Sequence, residues 1–452
     1  GAAGMTKYGY LFAGLIIVFL LTGTAAFAGD QVLSLHDALM RALKGNPEIK
    51  ANEQALFAVK EDITIARSFL LPRIGFEERF MRTNNPTYAF MAKLNQERFA
   101  ITDFAIPSLN NPEPVSDFQT SVSFEQAVFA PKAYIGLKMS RKEFEAKGED
   151  VERKREEVVF SVFRTYLDSQ TARAFVSVAE KGIEDAKEHL RIAESRNKVG
   201  LGLYSDMLRA QVALRTAEER KISAEKNMKV AGRAIGLMLG LTESISVQDQ
   251  RPLLLLKDLQ YYDIMAQTRK DLRALEARHK NAENNLKLAN ASYLPTVGLG
   301  GTYQLNSHKA VFGEEGQSWQ VMAFLRWELF DGLRREAERN KAKYKLAEAG
   351  EYLEGMKKQI SFAVYEAYLS VEEARKGLEL AKANLASAEE GRRLVKVRYE
   401  NSLSAAVDML DAQASLDAVR ADVVAKEAAY LTAIARLSYQ SGTIMKDLEI
   451  ER

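Results

Sequence analysis

The chain has 452 residues, of which 47% are hydrophobic and 27% are charged, and its formal net charge is +2. Such a balanced charge gives no indication of a nucleic-acid partner. The absence of cysteine excludes disulfides and thiolate metal sites, and we expect no lipid-modified cysteine as an anchor. Because there are only nine prolines, the long charged and alanine-rich stretches indicate extended helices rather than compact lobes.

The first 28 residues (1–28) are interpreted as a residual tag followed by a secretory signal peptide. Lys7 supplies a basic region after Met5, and an apolar run of about eleven residues leads to an Ala-Phe-Ala sequence that ends at Ala28. A membrane-spanning helix needs roughly 20 apolar residues, so a signal peptide is favoured over an anchor. No later stretch has that character, so we expect any membrane-embedded part to consist of strands.

A repeated hexapeptide indicates that the chain is built twice. The sequences "DMLRAQ" and "DMLDAQ" begin at Asp206 and Asp408, 202 residues apart. Upstream, "LPRIGFEERF" and "LPTVGLGGTY" mark the same step from helix to strand, 223 residues apart. We therefore predict an internal two-fold repeat, with residues 29–252 as the first structural repeat and residues 253–452 as the second.

The change in spacing reveals additional residues in the first unit. The spacing between matching positions of the two units is 223 residues before the strands and 201 residues after them. The first unit therefore holds 22 more residues between its two strands than the second unit does. They lie within Met81–Gln119, which is rich in asparagine, proline and serine. This composition predicts a long hairpin loop.

Alternation of apolar and polar residues predicts four strands per chain, in hairpins at about 73–129 and 296–330. Apolar residues occupy every second position of Gln320–Leu329, and Thr120–Phe129 is its counterpart in the first unit. Period two with one apolar face is typical of half-buried strands. Four strands cannot close a membrane barrel, which needs about eight or more, so closure would require several copies of the chain.

Two very long helices are predicted after the hairpins, from Pro131 to about Val199 and from Asp331 to about Tyr399. Roughly 65 helical residues span about 100 Å. Each helix ends in a turn of small residues, and the return helix that follows has the apolar spacing of a coiled coil. The sequence leaves open whether these coils close within one chain or around a ring.

Together, these motifs resemble the TolC-like outer-membrane efflux protein family over nearly the whole chain after the signal. The resemblance rests on "LSLHDALMRALKGNPEIKANEQAL", the duplicated hairpins, "VGLGLYSDMLRAQVAL" and "RYENSLSAAVDMLDAQASL". It implies a mainly α fold with a transmembrane β part, built as a homotrimer. A long α-helical coiled-coil barrel would extend through the periplasm, and the four strands of each chain would form a β-barrel of about 12 strands in the outer-membrane lipid.

The resemblance also implies function and partners. Family members are exit channels that span the outer membrane and periplasm, as passive ducts of tripartite efflux pumps or type I secretion systems. They work with a periplasmic adaptor (membrane fusion protein) and an inner-membrane transporter. We expect the cell outer membrane as the location, with a long periplasmic extension.

A periplasmic gate is a further implication of the resemblance. Asp408 and Asp411 occupy positions where the family carries acidic rings, and Tyr399 corresponds to a tyrosine that helps to keep the tunnel shut. Ser404 stands where the best-known member has a gate arginine, so the arginine link differs here. The residues leave a second interpretation open, in which Asp408 only caps its helix and Asp411 reflects drift from Arg209 of the other repeat.

The turns at the ends of the long helices are expected to meet the adaptor. Small residues there would let the adaptor's helical hairpin approach the backbone closely. The residues assigned to this contact are Val199, Gly200, Leu201, Gly202, Leu203, Asp206, Leu403 and Ser404.

Motifs of other functions are absent from the sequence. The histidines lack the spacing of metal ligands, and no phosphate-binding loop, nucleophile elbow or pair of catalytic carboxylates is present. We therefore expect neither an enzyme nor a cofactor. The alternative is a periplasmic adaptor or a coiled-coil scaffold protein, but an adaptor would carry a single helical hairpin between small β domains, and a scaffold would not need strands. The four histidines are His36, His189, His279 and His308.

Overall fold

A computed structural model describes residues 32–252 and 254–450. The predicted signal peptide, residues 1–28, therefore lies outside the described residues. The helices are α1 (Leu35–Gly45), α2 (Pro47–Ser68), α3 (Pro86–Asn95), α4 (Ile106–Asn110), α5 (Pro131–Lys198), α6 (Tyr204–Met238), α7 (Leu259–Ala266), α8 (Lys270–Ala291), α9 (Arg334–Glu400), α10 (Ala406–Ser441) and α11 (Ile444–Asp447). The strands are β1 (Arg73–Thr83), β2 (Val115–Phe129), β3 (Thr296–Ser307) and β4 (Gly316–Arg326).

The order of these elements is the same in the two halves of the chain. Two helices, two strands, a very long helix and a return helix run from α1 to α6, with α3 and α4 inserted between the strands, and again from α7 to α10. The predicted internal two-fold repeat is confirmed. The boundary between residues 252 and 253 stays a prediction, because residue 253 is outside the described ranges.

The strands form one antiparallel sheet in the order β1-β2-β3-β4. It has two different faces, because neighbouring side chains along a strand point to opposite sides. One face carries large exposed apolar side chains, such as those of Ile74, Val122 and Trp319. The other carries mainly polar side chains, such as those of Gln119 and Gln304, whose amides are hydrogen bonded at 3.0 Å, together with Met322 and Phe324 of β4. We call these the apolar face and the polar face.

The segment Met81–Gln119, predicted as a long hairpin loop, is largely structured. β1 continues to Thr83, and β2 starts at Val115 rather than at Thr120, because the two strands pair along their whole length. Two helices, α3 and α4, and a 3₁₀ turn fill the interval. Asn85 begins α3, since its side-chain oxygen accepts hydrogen bonds from two amides of the first turn.

The last strand ends earlier than predicted. The sequence indicated a strand over Gln320–Leu329, whereas β4 ends at Arg326, whose partner is Thr296. Pro295 precedes that partner and has no N–H to continue the ladder. The pairing therefore stops where β3 begins.

The long helices match their predicted extent. α5 has 68 residues and α9 has 67, so each is about 100 Å long. α6 packs along α5, and α10 packs along α9. The predicted seams face these partners, since Ala210 and Ala217 of α6 and Met409 and Leu416 of α10 are buried. Each return helix thus pairs with its long helix within the chain, with the sheet at one end and the turns at the other.

The hydrophobic core lies where the short helices pack against the long ones. Leu39 of α1 shares a buried cluster with Val159 and Tyr166 of α5. A second cluster joins Tyr262 of α7 to Val364 of α9. Over the described ranges, none of the helices combines the length and the apolar character needed to cross a membrane.

Candidate functional site at the helical tips

The two turns that end the long helices are built alike. We call residues 199–206 the first tip and residues 401–408 the second tip. At the first tip, Gly200 and Leu201 donate their amides to carbonyl groups of the last turn of α5, and the second tip repeats both hydrogen bonds at the end of α9. This is the Schellman arrangement, in which a residue with positive φ ends a helix.

The tips differ in the residue that takes the positive φ. Gly200 has a φ of 75° and adopts it without steric cost, whereas Ser402 has a φ of 62°. A left-handed conformation costs a residue with a Cβ roughly 1–2 kcal/mol. Ser402 compensates through its side chain, because its Oγ accepts a hydrogen bond of 2.9 Å from Nη2 of Arg196.

Arg196, near the end of α5, joins both tips. Its Nη1 donates to the carbonyl oxygens of Tyr399 at 2.7 Å and Glu400 at 3.3 Å, and its Nη2 donates to that of Leu201 at 3.3 Å. The guanidinium carbon lies 4.9 Å from the centre of the Tyr399 ring. Carbonyl groups at a helix C-terminus lack helical partners and carry partial negative charge, so a cation stabilises them. Arg196 therefore holds the end of α9 against the end of α5.

Tyr399, one of the predicted gate residues, is buried between the tips. Its side chain packs with those of Ile192 on α5 and Met409 on α10. Burial raises the pKa of the Tyr399 phenol; the charge of Arg196 opposes this rise and that of Asp206 adds to it. Tyr399 thus contacts both coils and responds to the acidic group of the first tip.

The two predicted gate acids have different surroundings. Asp408 Oδ2 accepts hydrogen bonds from the Ser404 hydroxyl at 2.8 Å and the Ala405 amide at 3.1 Å. These two donors hold the pKa of the Asp408 carboxyl below its ordinary value. This geometry fits the capping interpretation. Asp411 lies one turn further along α10 and is exposed, and its carboxylate has no hydrogen bond or ion pair to any described residue.

Apolar side chains form an exposed rim at the tips. Four of them are more than two-thirds exposed: Val199, Leu201, Leu203 and Leu403. Beneath this rim, a Cβ on Gly202 would come 3.0 Å from Cβ of Arg196 and 3.1 Å from the amide nitrogen of Asn197. A side chain at Gly202 would therefore require the last turn of α5 to shift.

A buried polar cluster joins α5, α9 and α10 further from the turns. Asp185 accepts hydrogen bonds from Arg392 at 3.1 Å, Arg420 at 2.8 Å and Gln413 at 3.1 Å. Gln413 Oε1 in turn accepts from Nε of Arg392 at 3.0 Å and lies 3.2 Å from Nε2 of His189. We call these five residues the tip-base cluster.

The stability of the tip-base cluster depends on pH through the ionisation of Asp185 and His189. Burial alone would raise the pKa of Asp185, but Arg420 and Arg392 outweigh it and hold this pKa below its ordinary value. Burial lowers the pKa of His189, against its hydrogen bond with Gln413, and its Nδ1 has no partner. Because the unfolded chain binds the histidine proton more readily than the folded chain does, the stability of this region falls as the pH drops below the ordinary value of 6.5.

The sequence did not predict two features of this region, the contacts of Arg196 and the tip-base cluster. The repeat held a signal for the arginine, because Arg398 occupies the same place in the second coil and donates to the carbonyl of Leu403 at 3.5 Å. The cluster gave no such signal, since its side chains come from three helices and Gln413 is 228 residues from Asp185. Among the residues that the structure covers, no group of three acidic or histidine side chains is arranged to hold a metal ion.

Known proteins share both the sequence pattern and the fold. Residues 38–241 and 261–443 match the sequence model described as outer membrane efflux protein. The outer membrane efflux protein BepC of Brucella suis biovar 1 is 22% identical over 439 residues, which cover 93% of this chain and 89% of BepC. VceC of Vibrio cholerae superposes with a TM-score of 0.75 at 16% identity, over 91% of this chain and 96% of VceC. The open state of the MtrE channel of Neisseria gonorrhoeae gives 0.74 at 16% identity, over 92% and 90%. Because the sequence model matches most of the chain, the protein belongs to the outer membrane efflux protein family.

Proposed function

We propose that this outer-membrane channel works as a homotrimeric exit duct of a tripartite efflux pump or a type I secretion system. It would receive its substrate from an inner-membrane transporter through a periplasmic adaptor (membrane fusion protein). The observation that carries the proposal is the four-stranded sheet, whose apolar face is exposed and whose outer strands, β1 and β4, each have an unpaired edge. Three copies would supply about twelve strands, enough to close a barrel with an open lumen.

In such a barrel the two faces of the sheet acquire separate roles. The apolar face, with Ile74, Val122 and Trp319, would contact outer-membrane lipid. The polar face would line the lumen, as in transmembrane barrels whose strands alternate between apolar and polar side chains. The long coils would continue the duct on the periplasmic side.

The two tips would form the rim that meets the adaptor. Support comes from their exposed apolar side chains and from the closeness of the Gly202 backbone to α5. A partner's helix could bury these side chains, and burial of exposed apolar surface is what drives such contacts. The residues proposed for the contact are Val199, Gly200, Leu201, Gly202, Leu203, Asp206, Leu403 and Ser404.

The second tip and the start of α10 would form the periplasmic gate. Tyr399 and Arg196 support this role because together they hold the second coil against the first. Asp408 would fix the second tip through its capping contacts with Ser404 and Ala405. Asp411, whose exposed carboxylate has no partner among the described residues, would contribute the acidic ring of the pore.

The alternative of an adaptor or a coiled-coil scaffold fits less well. Neither class needs two helical hairpins joined to one sheet with a large exposed apolar face. No observation on the molecule favours it over a duct.

The proposal is tested by the mass and the membrane insertion of the protein. We expect three chains per particle in detergent, and no protein released from membranes without detergent. Val321→Lys, on the apolar face, should block insertion at a cost of about 2–4 kcal/mol, whereas Gln320→Lys, on the polar face, should insert normally. A soluble monomer of one 50.5 kDa chain, or equal insertion of both variants, would contradict the proposal.

A further inference from the structure

The connection between β1 and β2 is a folded body that the duct itself does not require. It runs from Thr83 to Val115, whereas β3 and β4 are joined by the short interval between Ser307 and Gly316. We call residues 84–114 the insert. Within it, Lys93 and Asp103 form an ion pair of 2.7 Å, and three aromatic rings pack in sequence, with centroid distances of 4.6 and 5.1 Å. The three rings belong to Phe90, Phe99 and Phe104.

Hydrogen bonds attach the insert to the polar face of the sheet. Gln96, just after α3, is buried and donates its side-chain nitrogen to Asp117 at 2.7 Å and to the carbonyl of Ser116 at 2.9 Å. Asn306 of β3 donates to both carboxylate oxygens of Asp117 at 3.0 Å. Asp117 and Asn306 are both buried, and both belong to the polar face. Because Gln96 is buried, separating the insert from the sheet would remove the bonds that its side chain donates to Asp117 and to the carbonyl of Ser116.

Close packing supports the same placement. Ala89 and Ala92 of α3 share a buried cluster with Val115, which also belongs to the polar face. At the other side of β3, a Cβ on Gly316 would overlap the carbonyl oxygen of Asn95, the last residue of α3. The helix therefore lies across the ends of β2, β3 and β4, on the polar face of the sheet.

The insert also exposes a set of large apolar side chains that no described residue covers. Ile101 is 90% exposed, and the other large side chains of this set are about half exposed or more. Soluble surfaces rarely carry so many exposed large apolar groups in one short segment. The set comprises Tyr88, Met91, Leu94, Ile101, Phe104 and Ile106.

We propose that three inserts meet at the axis of the trimer and narrow the outer mouth of the barrel. This inference rests on the proposed trimeric duct, because only in a closed barrel does the polar face point to a common lumen. The insert lies on that face and away from the apolar face that contacts lipid, so lipid cannot cover its exposed side chains. The occupant of this apolar surface is the same surface of the other two copies, at the end of the barrel opposite the periplasmic tips.

The first test uses the absence of cysteine from the chain. A single cysteine at Met91 or Ile101 should give covalent dimers when trimers in membranes are treated with a short thiol crosslinker. A single cysteine at Trp319, on the apolar face and 75% exposed, should not, because lipid separates its copies. Equal crosslinking at all three positions, or none at Met91 and Ile101, would overturn the inference.

The second test measures the opening of the mouth in planar bilayers. The double variant Met91→Asp, Ile101→Asp should still form the trimer, but charge repulsion should separate the three inserts. Because the narrowest part of a pore limits the current, single-channel conductance should then rise about two-fold or more. The control is Gln320→Asp, which lies on the polar face and should change conductance less. Tyr303→Asp is unsuitable as a control because Tyr303 lies on the apolar face. The insert variant and the Gln320→Asp control are both measured with the periplasmic tips loosened by Arg196→Met, so that the gate does not limit the current. Unchanged conductance of the insert variant in such an intact trimer would refute the constriction and leave the duct in place. If the unaltered chain is not a trimer in detergent, the duct proposal fails, and the inference fails with it.

Discussion

Arg196 is the residue on which the contact between the two tips depends. One guanidinium satisfies carbonyl groups at the C-terminus of α9, reaches the Ser402 hydroxyl and lies beside the ring of Tyr399. Hydrogen bonds to a charged group contribute about 1.5–3 kcal/mol each at most, so removal of this side chain should loosen the second tip without unfolding the coils. The long helices keep their seams and their core in its absence.

We expect Arg196→Met to expose the second tip to solvent exchange. Backbone amides of residues 399–405 should exchange faster with deuterium, because the end of α9 loses the cation that held it to α5. Arg191→Met is the matched control, since Arg191 lies on the same helix and, among the described residues, its side chain donates hydrogen bonds to Glu188 alone, at 2.8 and 2.9 Å on the exposed surface. Equal exchange in the two variants would show that Arg196 is dispensable for the contact between the tips.

Residue-level predictions from the sequence succeeded where the chemistry is local. An acid in the first turn of α10 is a local capping signal, and Asp408 occupies that position. Burial of Tyr399 under Arg196 could not be predicted in this way, because the contact joins helices that are 203 residues apart along the chain. The roles of Asp411 and of the rim residues in the assembled channel stay predictions.

At the scale of elements, the first tip is a turn whose shape depends on one position. A Cβ on Gly202 would contact the last turn of α5 at 3.0–3.1 Å, so the tip and that turn would have to move apart. By contrast, a Cβ on Gly391 of α9 would meet no atom within 4 Å. The two glycines therefore separate an effect of tip shape from an effect of added bulk.

We predict that Gly202→Leu abolishes binding of the adaptor and transport, while trimer mass and membrane insertion stay unchanged. The physical reason is the displaced rim, whose exposed leucines would no longer fit the partner helix. Copurification of the adaptor and export of a fluorescent substrate measure the two effects. Gly391→Leu should leave both unchanged, and normal export by Gly202→Leu would remove the first tip from the adaptor contact.

The sequence allowed most of the elements to be predicted because their signals are periodic and occur twice. The offsets between repeats located both hairpins and both long helices to within a few residues. They could not assign structure to the insert, which has no counterpart in the second unit, although Asn85 followed by Pro86 is a readable helix start. The tip-base cluster was equally inaccessible, because helix periodicity does not reveal which polar side chains of three helices meet.

The proposed trimer would combine a duct with constrictions of different chemistry at its two ends. At the outer end, the proposed constriction is apolar and comes from the insert, which the hydrogen bonds of Gln96 hold on the polar face. At the periplasmic end, the proposed gate is charged and rests on two coils tied by Arg196 and the tip-base cluster. The contact between the two coils should weaken in acid, because Asp185 stabilises the tip-base cluster only while it is ionised and His189 only while it is neutral.

The charge at the periplasmic end should determine which ions pass through the trimer. Three copies of Asp411 would approach one axis, and carboxylates held close together in a pore favour cations over anions. The Asp408 carboxylate accepts hydrogen bonds from Ser404 and Ala405, so we expect Asp408 to support the second tip and Asp411 to form the acidic ring.

In planar bilayers, Asp411→Ala should lose most of the cation preference and the block by multivalent cations, whereas Asp411→Glu should retain both. Asp408→Ala should chiefly change the frequency of opening, because its loss frees the second tip. Unaltered selectivity and block in the double variant Asp408→Ala, Asp411→Ala would leave these acids with capping alone, and the repeated hexapeptide would then serve the architecture of the coils.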